Sequence, residues 1–118
     1  MLVTTVLLTG CERLNVRYYI RYEVDVNTNY TGDISFITVN TEYGAQSFNT
    51  GKYFSETFGP VTPNFVAKVI AYTSAYQADV NVRIYACRGE ESFVLKRTAT
   101  FKGPTDRYPG ILEYAIDF

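Results

Sequence analysis

Strict alternation of apolar and polar side chains in residues 16–26 is the feature that most restricts the fold of this chain. The residues Arg17, Tyr19, Arg21, Glu23 and Asp25 alternate with a wholly apolar or aromatic set, namely Val16, Tyr18, Ile20, Tyr22, Val24 and Val26. Successive side chains on a β-strand point to opposite faces of its sheet. The pattern therefore predicts an antiparallel strand with one buried face and one solvated face.

The same period of two recurs along the rest of the chain, between clusters of turn-forming residues. We predict further strands at residues 34–41, 45–50, 53–58, 64–74, 80–87, 93–101 and 112–118. The apolar run within residues 64–74 also suits a short helix, but its β-branched side chains and flanking proline favour a buried strand. Residues 59–63 hold Gly59, Pro60 and Pro63. We predict a loop there, because proline disrupts helices and central strands.

Seven or eight short antiparallel strands without an amphipathic helix predict an all-β fold, and we expect an immunoglobulin-like β-sandwich. The strand at residues 93–101 is expected to place Phe93, Leu95, Arg97, Ala99 and Phe101 on one face. The paired cysteines and buried tryptophan of true immunoglobulin domains are missing, because the chain has two cysteines and no tryptophan. The expected likeness is therefore one of architecture only.

Histidine is absent from all 118 residues. This excludes Ser-His-Asp and Cys-His nucleophile activation, and it removes the commonest ligand of transition metals. The 11 basic and 12 acidic residues give a net charge of −1, which argues against a nucleic-acid partner, since such proteins carry a basic face. We therefore expect no enzyme activity, no cofactor and no metal.

The N-terminal segment carries the clearest statement about location. Residues 1–8 are apolar and uncharged, and Leu8-Thr9-Gly10-Cys11 matches a bacterial lipobox at all four positions. An apolar run followed by small residues is typical of a secretory signal. We predict a signal peptide remnant at residues 1–10, a lipidated Cys11 with a tether at residues 11–15, and a β-sandwich domain at residues 16–118.

The alternative for residues 1–8 is an ordinary first β-strand, because no basic residue precedes the apolar run. The lipobox hypothesis anchors the protein to a membrane of the cell envelope, facing the periplasm or the cell exterior. It also leaves Cys87 single, whereas without lipidation Cys11 and Cys87 are free to pair or to remain thiols.

Three stretches resemble a group of small β-sandwich lipoproteins of Bacteroidetes-type bacteria, which is related to the mycobacterial MmpS transport-accessory domain. They are Tyr22-Glu23-Val24, the strand at residues 54–58, and the strand at residues 80–85 that leads through a glycine turn into residues 93–96. The resemblance implies a seven-stranded sandwich on a lipid anchor. Its mycobacterial branch implies partnership with an export pump, and the resemblance implies no catalytic residue.

Two predicted strands carry a mixture of tyrosine and arginine on their outward faces. Arg17, Tyr19 and Arg21 lie on the first, and Arg83 and Tyr85 lie on the strand at residues 80–87. If the two strands are neighbours, these five side chains form a contact patch suited to a protein or a glycan. The alternative is a set of cross-strand pairs that shields the sheet.

Other polar groups offer weaker candidates. Asp25-x-Asn27-x-Asn29 begins like an EF-hand calcium loop, but Tyr30 and Phe36 occupy the positions of its glycine and its bidentate glutamate. We therefore expect an Asx-rich turn. Asn29-Tyr30-Thr31 is a glycosylation sequon. Glu90, Glu91 and Asp106 are expected to be solvated loop residues, and Cys87 has no adjacent activating base.

We therefore expect a non-enzymatic, membrane-anchored lipoprotein domain that binds another cell-envelope protein, with a transport accessory as one form of that role. The alternative is a carbohydrate- or surface-binding adhesive β-sandwich. A small hydrolase that uses a pair of carboxylates is a third hypothesis.

Overall fold

The part of the chain that the structure describes forms eight β-strands. A computed structural model describes residues 17–28, 35–105 and 109–117. The strands are β1 (Tyr18–Asn27), β2 (Ser35–Thr41), β3 (Gly44–Asn49), β4 (Tyr53–Val61), β5 (Val66–Thr73), β6 (Asp79–Arg88), β7 (Val94–Lys102) and β8 (Gly110–Ala115). The predicted signal segment, Cys11 and its tether, the sequon at Asn29 and the loop residue Asp106 lie outside the described residues. No helix in the described ranges is long and apolar enough to cross a membrane.

The strands form two four-stranded sheets. Sheet A has the order β4-β1-β6-β7, and sheet B has the order β3-β2-β5-β8. Every pairing is antiparallel. The predicted all-β sandwich is therefore confirmed, while its immunoglobulin-like character stays a prediction.

The core lies between the two sheets and is built from the alternating inward side chains. Each buried valine or isoleucine contributes about 1.5–3 kcal/mol through removal of apolar surface from water. The inward set is Ile20, Tyr22, Val24, Val26, Val80, Val82, Ile84 and Ala86 from sheet A, and Ile37, Val39, Ala67, Val69, Ala71 and Tyr114 from sheet B. The inward half of the first alternating segment is thus buried from Ile20 onward, as its pattern predicts.

Tyr22 joins the two sheets through its hydroxyl group. The hydroxyl donates a hydrogen bond to the Asn40 carbonyl at 2.6 Å and accepts one from the Lys68 backbone N–H at 3.3 Å. The pairing of β2 with β5 runs from Ser35↔Thr73 to Val39↔Val69. The phenol therefore satisfies backbone groups of both strands just beyond the point where they pair. Burial raises the pKa of the Tyr22 phenol, so it stays protonated and able to donate.

Two sequence predictions are wrong in detail. The predicted loop at residues 59–63 begins too early, because β4 continues through Gly59 and Pro60 to Val61. Proline is tolerated here because β4 is an edge strand, whose outer backbone N–H groups need no partner in the sheet. A register shift between Tyr18 and Ile20 lies at the same place.

The residues of the strand at 93–101 that are predicted to share one face also prove to be divided between its two faces. A register shift places Leu95 opposite Tyr85 and Arg97 opposite Ile84, with Lys96 as the extra residue. A bulge reverses which face successive residues occupy. Leu95 therefore lies on the outer face of sheet A, whereas Arg97, Ala99 and Phe101 follow the inward register.

We expect Tyr22→Phe to lower the free energy of unfolding by about 1–3 kcal/mol, because it leaves buried backbone groups of β2 and β5 without their partner. Urea denaturation followed by circular dichroism measures the change. Tyr53→Phe is the matched control, because Tyr53 is 60% exposed, and a surface change of this kind is worth within about 0.5 kcal/mol. Equal stability of the two variants would show that the hydroxyl bridge is energetically unimportant.

Candidate functional site

The structure places the strands that carry the predicted contact patch side by side. β1 pairs with β6 so that Arg21 faces Tyr85 and Tyr19 faces Cys87. Tyr19, Arg21, Arg83 and Tyr85 therefore share the outer face of sheet A. Arg17 precedes β1 as an exposed residue, and its carbonyl accepts a hydrogen bond from the Gly89 N–H at 2.7 Å. The adjacency of β1 and β6, on which the predicted contact patch depends, is thus present.

On half of this face, charged and polar side chains bind one another. We call this group the ionic row: Glu23, Asp25, Asn81 and Arg83. Arg83 Nε lies 3.3 Å from Glu23 Oε1, and Arg83 Nη2 lies 2.9 Å from Asp25 Oδ1. Asn81 Nδ2 donates to Asp25 Oδ2 at 3.0 Å, and Thr100 donates to Asn81 Oδ1 at 2.7 Å. Arg83 and Asp25 are therefore engaged within the sheet, which matches the alternative of cross-strand shielding.

Electrostatics in the ionic row favours these internal pairs. Burial by itself lowers the pKa of the Arg83 guanidinium, but hydrogen bonds to Asp25 and Glu23 outweigh burial and raise it. Asp25 is also the first residue of the calcium-like motif, and its two carboxylate oxygens bind Arg83 and Asn81. Within residues 17–28, 35–105 and 109–117, no group of three metal-ligating side chains is present.

The other half of the face holds Arg21 between two aromatic rings. Its guanidinium carbon lies 4.5 Å from the ring centre of Tyr85 and 4.6 Å from that of Phe93. Arg21 Nε is 3.2 Å from Glu23 Oε2, but this nitrogen is buried without a hydrogen bond of good geometry. Leu95 adds an apolar side chain that is 47% exposed. This half is an open surface of arginine and aromatic groups.

Phe93 and Leu95 also belong to this surface. The alternation of residues 93–101 predicts both on the face of Arg97, Ala99 and Phe101, but the bulge at Lys96 places Leu95 opposite Tyr85 instead. A bulge in an alternating segment leaves little trace in sequence, because the strand remains alternating on both sides of it. The charged Arg97 at an apolar position was the one available signal.

The Cys87 thiol on this face is poorly suited to act as a nucleophile. Cys87 is a free thiol that is only 4% exposed, and burial raises its pKa more than a backbone hydrogen bond at Tyr19 and the charge of Arg21 lower it. The thiolate is the reactive form of cysteine, so Cys87 is in its inert state at neutral pH. Glu90 and Glu91 lie in the exposed loop between β6 and β7, where Glu91 pairs with Arg88 at 3.5 Å.

The outer face of sheet B is composed differently. Four neighbouring side chains form what we call the apolar surface: Phe36, Ile70, Tyr72 and Ile111. The rings of Phe36 and Tyr72 stack with centres 4.5 Å apart, and Ile70 pairs with Ile111 across β5 and β8. Ile111 is 50% exposed. One charged cross-strand pair, Lys68↔Glu113, lies beside this surface.

No family model, curated protein or solved structure matches this chain. The resemblance to the MmpS-like lipoproteins therefore stays a prediction.

We expect Cys87 to resist thiol reagents in the folded protein. In a Cys11→Ser chain, where Cys87 is the single cysteine, its reaction with a chromogenic disulfide at pH 8 should be at least about tenfold slower in buffer than in urea. Reaction requires local opening, because the thiol is buried and largely protonated. Equal rates in buffer and in urea would contradict this assignment.

Proposed function

We propose that this chain is a non-enzymatic, membrane-anchored lipoprotein domain that binds another protein of the cell envelope. The observation that supports binding most strongly is the apolar surface of sheet B. An antiparallel sheet that faces water normally carries polar side chains outward, and contiguous exposed apolar groups are typical of protein contact sites. The partner of this surface is an envelope protein with an apolar, aromatic or aliphatic face of its own.

β5 shows why this surface needs a partner. Its inward residues Ala67, Val69 and Ala71 are fully buried, yet Ile70 and Tyr72 on its outward side are apolar as well. A near-continuous apolar run is typical of strands that are covered on both faces. Among the described residues, only the inward face of β5 is covered by the opposite sheet. A bound protein would cover the other.

The lipobox supports the location. Tyr18, the first residue of β1, follows Cys11 by seven positions. A chain of this length spans at most about 25 Å. A lipid on Cys11 would therefore keep the sandwich close to the membrane, within reach of a membrane-embedded partner such as a transporter.

A second function has one specific observation in its favour. The stacked group of Tyr85, Arg21 and Phe93 offers aromatic faces and guanidinium donors, which together suit a glycan. The alternative is therefore a carbohydrate-binding or adhesive domain that uses the outer face of sheet A. The two functions use opposite faces of the sandwich, so single substitutions separate them.

Replacing Cys11 with Ser should release the protein from the membrane fraction and abolish labelling by a palmitate analogue, because the thiol that carries the lipid is lost. The matched control is Cys87→Ala, which should keep both membrane association and label. Cell fractionation and in-gel fluorescence are the measurements. A Cys11→Ser protein that stays with the membrane, beside a wild type that never labels, would overturn the lipoprotein proposal.

Partner binding should depend on Ile111 and not on Leu95. Loss of a buried isoleucine side chain at an interface costs about 1.5–3 kcal/mol, which is tenfold to a hundredfold in affinity. We expect Ile111→Gln to lose the envelope protein that cross-links to the wild type in cells, as identified by mass spectrometry. Leu95→Gln is the matched control, because Leu95 is 47% and Ile111 is 50% exposed.

The reverse result would overturn the assignment to sheet B. If Leu95→Gln loses the cross-linked protein and Ile111→Gln keeps it, the outer face of sheet A is the binding surface. Specific retention on a glycan array that depends on Arg21 and Tyr85, without a cross-linked protein, would favour the adhesive alternative.

A further inference from the structure

Among the described strands of the sandwich, four lie at sheet edges, and three of these carry features that hinder pairing with another strand. β4 contains Pro60 and a register shift. β7 carries three basic side chains, at Lys96, Arg97 and Lys102, together with a bulge. Proline, bulges and lysine are the usual means by which proteins protect sheet edges.

β8 is protected by charge and by its neighbour. It carries Glu113, and its Tyr114 ring is approached by the Arg97 guanidinium of β7 at 5.1 Å. Lys96 of β7 lies 3.8 Å from the Asp117 carboxylate that follows β8. The edges β7 and β8 therefore lie on the same side of the sandwich, and basic side chains cross between them.

β3 has none of these features. Its sequence, GAQSFN, contains no charged residue and no proline. Its pairing with β2 runs from Phe36↔Asn49 to Thr41↔Gly44 without a register shift. Five of its six residues are exposed. Among the described residues, no strand pairs with its outer side.

The hydrogen bonding of β2 and β3 identifies which backbone groups face outward. The Thr50 N–H donates to the Ser35 carbonyl at 3.1 Å, which extends the ladder by one pair. Residues in an antiparallel ladder alternate between bonding to the partner strand and pointing away from it. The N–H and C=O groups of Ala45, Ser47 and Asn49 therefore point away from β2.

We propose that β3 pairs antiparallel with β3 of a second copy of this chain. The register that uses all three outward-pointing residues places Ser47 opposite Ser47 of the copy, and Ala45 opposite Asn49. Three hydrogen-bonded pairs then form, with two hydrogen bonds in each. The two sheets B join into one continuous sheet of eight strands.

A second copy fits this edge for reasons of symmetry and charge. Antiparallel pairing of a strand with itself is two-fold symmetric, so both open edges are consumed and growth stops at the dimer. The absence of charge on β3 means that no like charges oppose each other across the axis. The inference does not depend on the lipid anchor or on the apolar surface.

The test uses the full chain with Cys11→Ser, to keep lipid from affecting its association. Sedimentation equilibrium should give twice the 13.4 kDa of one chain. Ser47→Pro removes an N–H that points away from β2, so it should give a folded monomer, while Ser47→Ala keeps that N–H and should remain a dimer. Circular dichroism checks that the sheet content of each variant is unchanged.

A second variant keeps the test decisive if proline disturbs the strand. Ser47→Lys brings two ammonium groups together across the axis, so its dimer should weaken at least tenfold and recover at high salt. A Ser47→Cys chain should form a disulfide dimer on oxidation, whereas Thr98→Cys on the protected edge β7 should not. A Cys11→Ser protein without further change that stays monomeric at all concentrations would overturn the proposal. So would a dimer that survives both Ser47→Pro and Ser47→Lys, or one lost in Ile111→Gln.

Discussion

The hydroxyl group of Tyr22 makes a polar link between the two sheets within a largely apolar core, and the packing of sheet A on sheet B at this point depends on it. It binds backbone groups of Asn40 and Lys68 where β2 and β5 stop pairing. A buried phenol without partners would cost about 1–3 kcal/mol, and so would the two backbone groups it serves. Tyr22 therefore fixes one point at which sheet A contacts the end of the β2–β5 ladder, while the alternation of inward and outward side chains along each strand determines what each outer face carries.

The outer faces of the two sheets carry different kinds of side chain. On sheet A, the carboxylates of Glu23 and Asp25 pair with Arg21 and Arg83. Because these charged groups are already paired with each other, they contribute little to binding a partner. On sheet B, the stacked Phe36 and Tyr72 lie beside the pair of Ile70 with Ile111, and of these four side chains Phe36, Ile70 and Tyr72 are half-buried while Ile111 is 50% exposed. Apolar surface exposed to water is where binding yields most free energy per unit area. This contrast is why the proposed protein contact lies on sheet B, although sequence analysis had placed its candidates on sheet A.

Alternation between clusters of turn-forming residues predicts most strands of the sandwich, because burial of one face imposes a period of two on a strand, and the β-branched apolar run predicts β5. The sequence pattern fails where the structure at a residue depends on the position of its strand in the sheet or on the strand beside it. Pro60 excludes a central strand but suits an edge strand, and edge position is a property of the whole sheet. The bulge at Lys96 moves Leu95 to the face of Tyr85, which the local pattern does not record. The apolar run of β5 predicts a buried strand. Its outward apolar residues indicate a contact surface only because, in a two-layer sandwich, the opposite sheet covers just one face of β5. The charge matching of Arg83 likewise needs the register of β1 with β6.

The proposed lipid anchor and the proposed β3 pairing together restrict how the dimer would lie at a membrane. A two-fold axis between antiparallel strands in one sheet runs perpendicular to that sheet, so the outer faces of both copies point the same way. The same axis relates the starts of the two β1 strands, at Tyr18, by a half-turn, so they lie on opposite sides of it. Two lipid anchors reach one bilayer only if the axis is normal to it, which lays the strands parallel to the membrane plane. The tether leaves from β1, which belongs to sheet A. Short tethers would therefore favour sheet A toward the lipid and direct both apolar surfaces of sheet B away from the membrane, where the part of a membrane-embedded partner that extends beyond the bilayer would contact them.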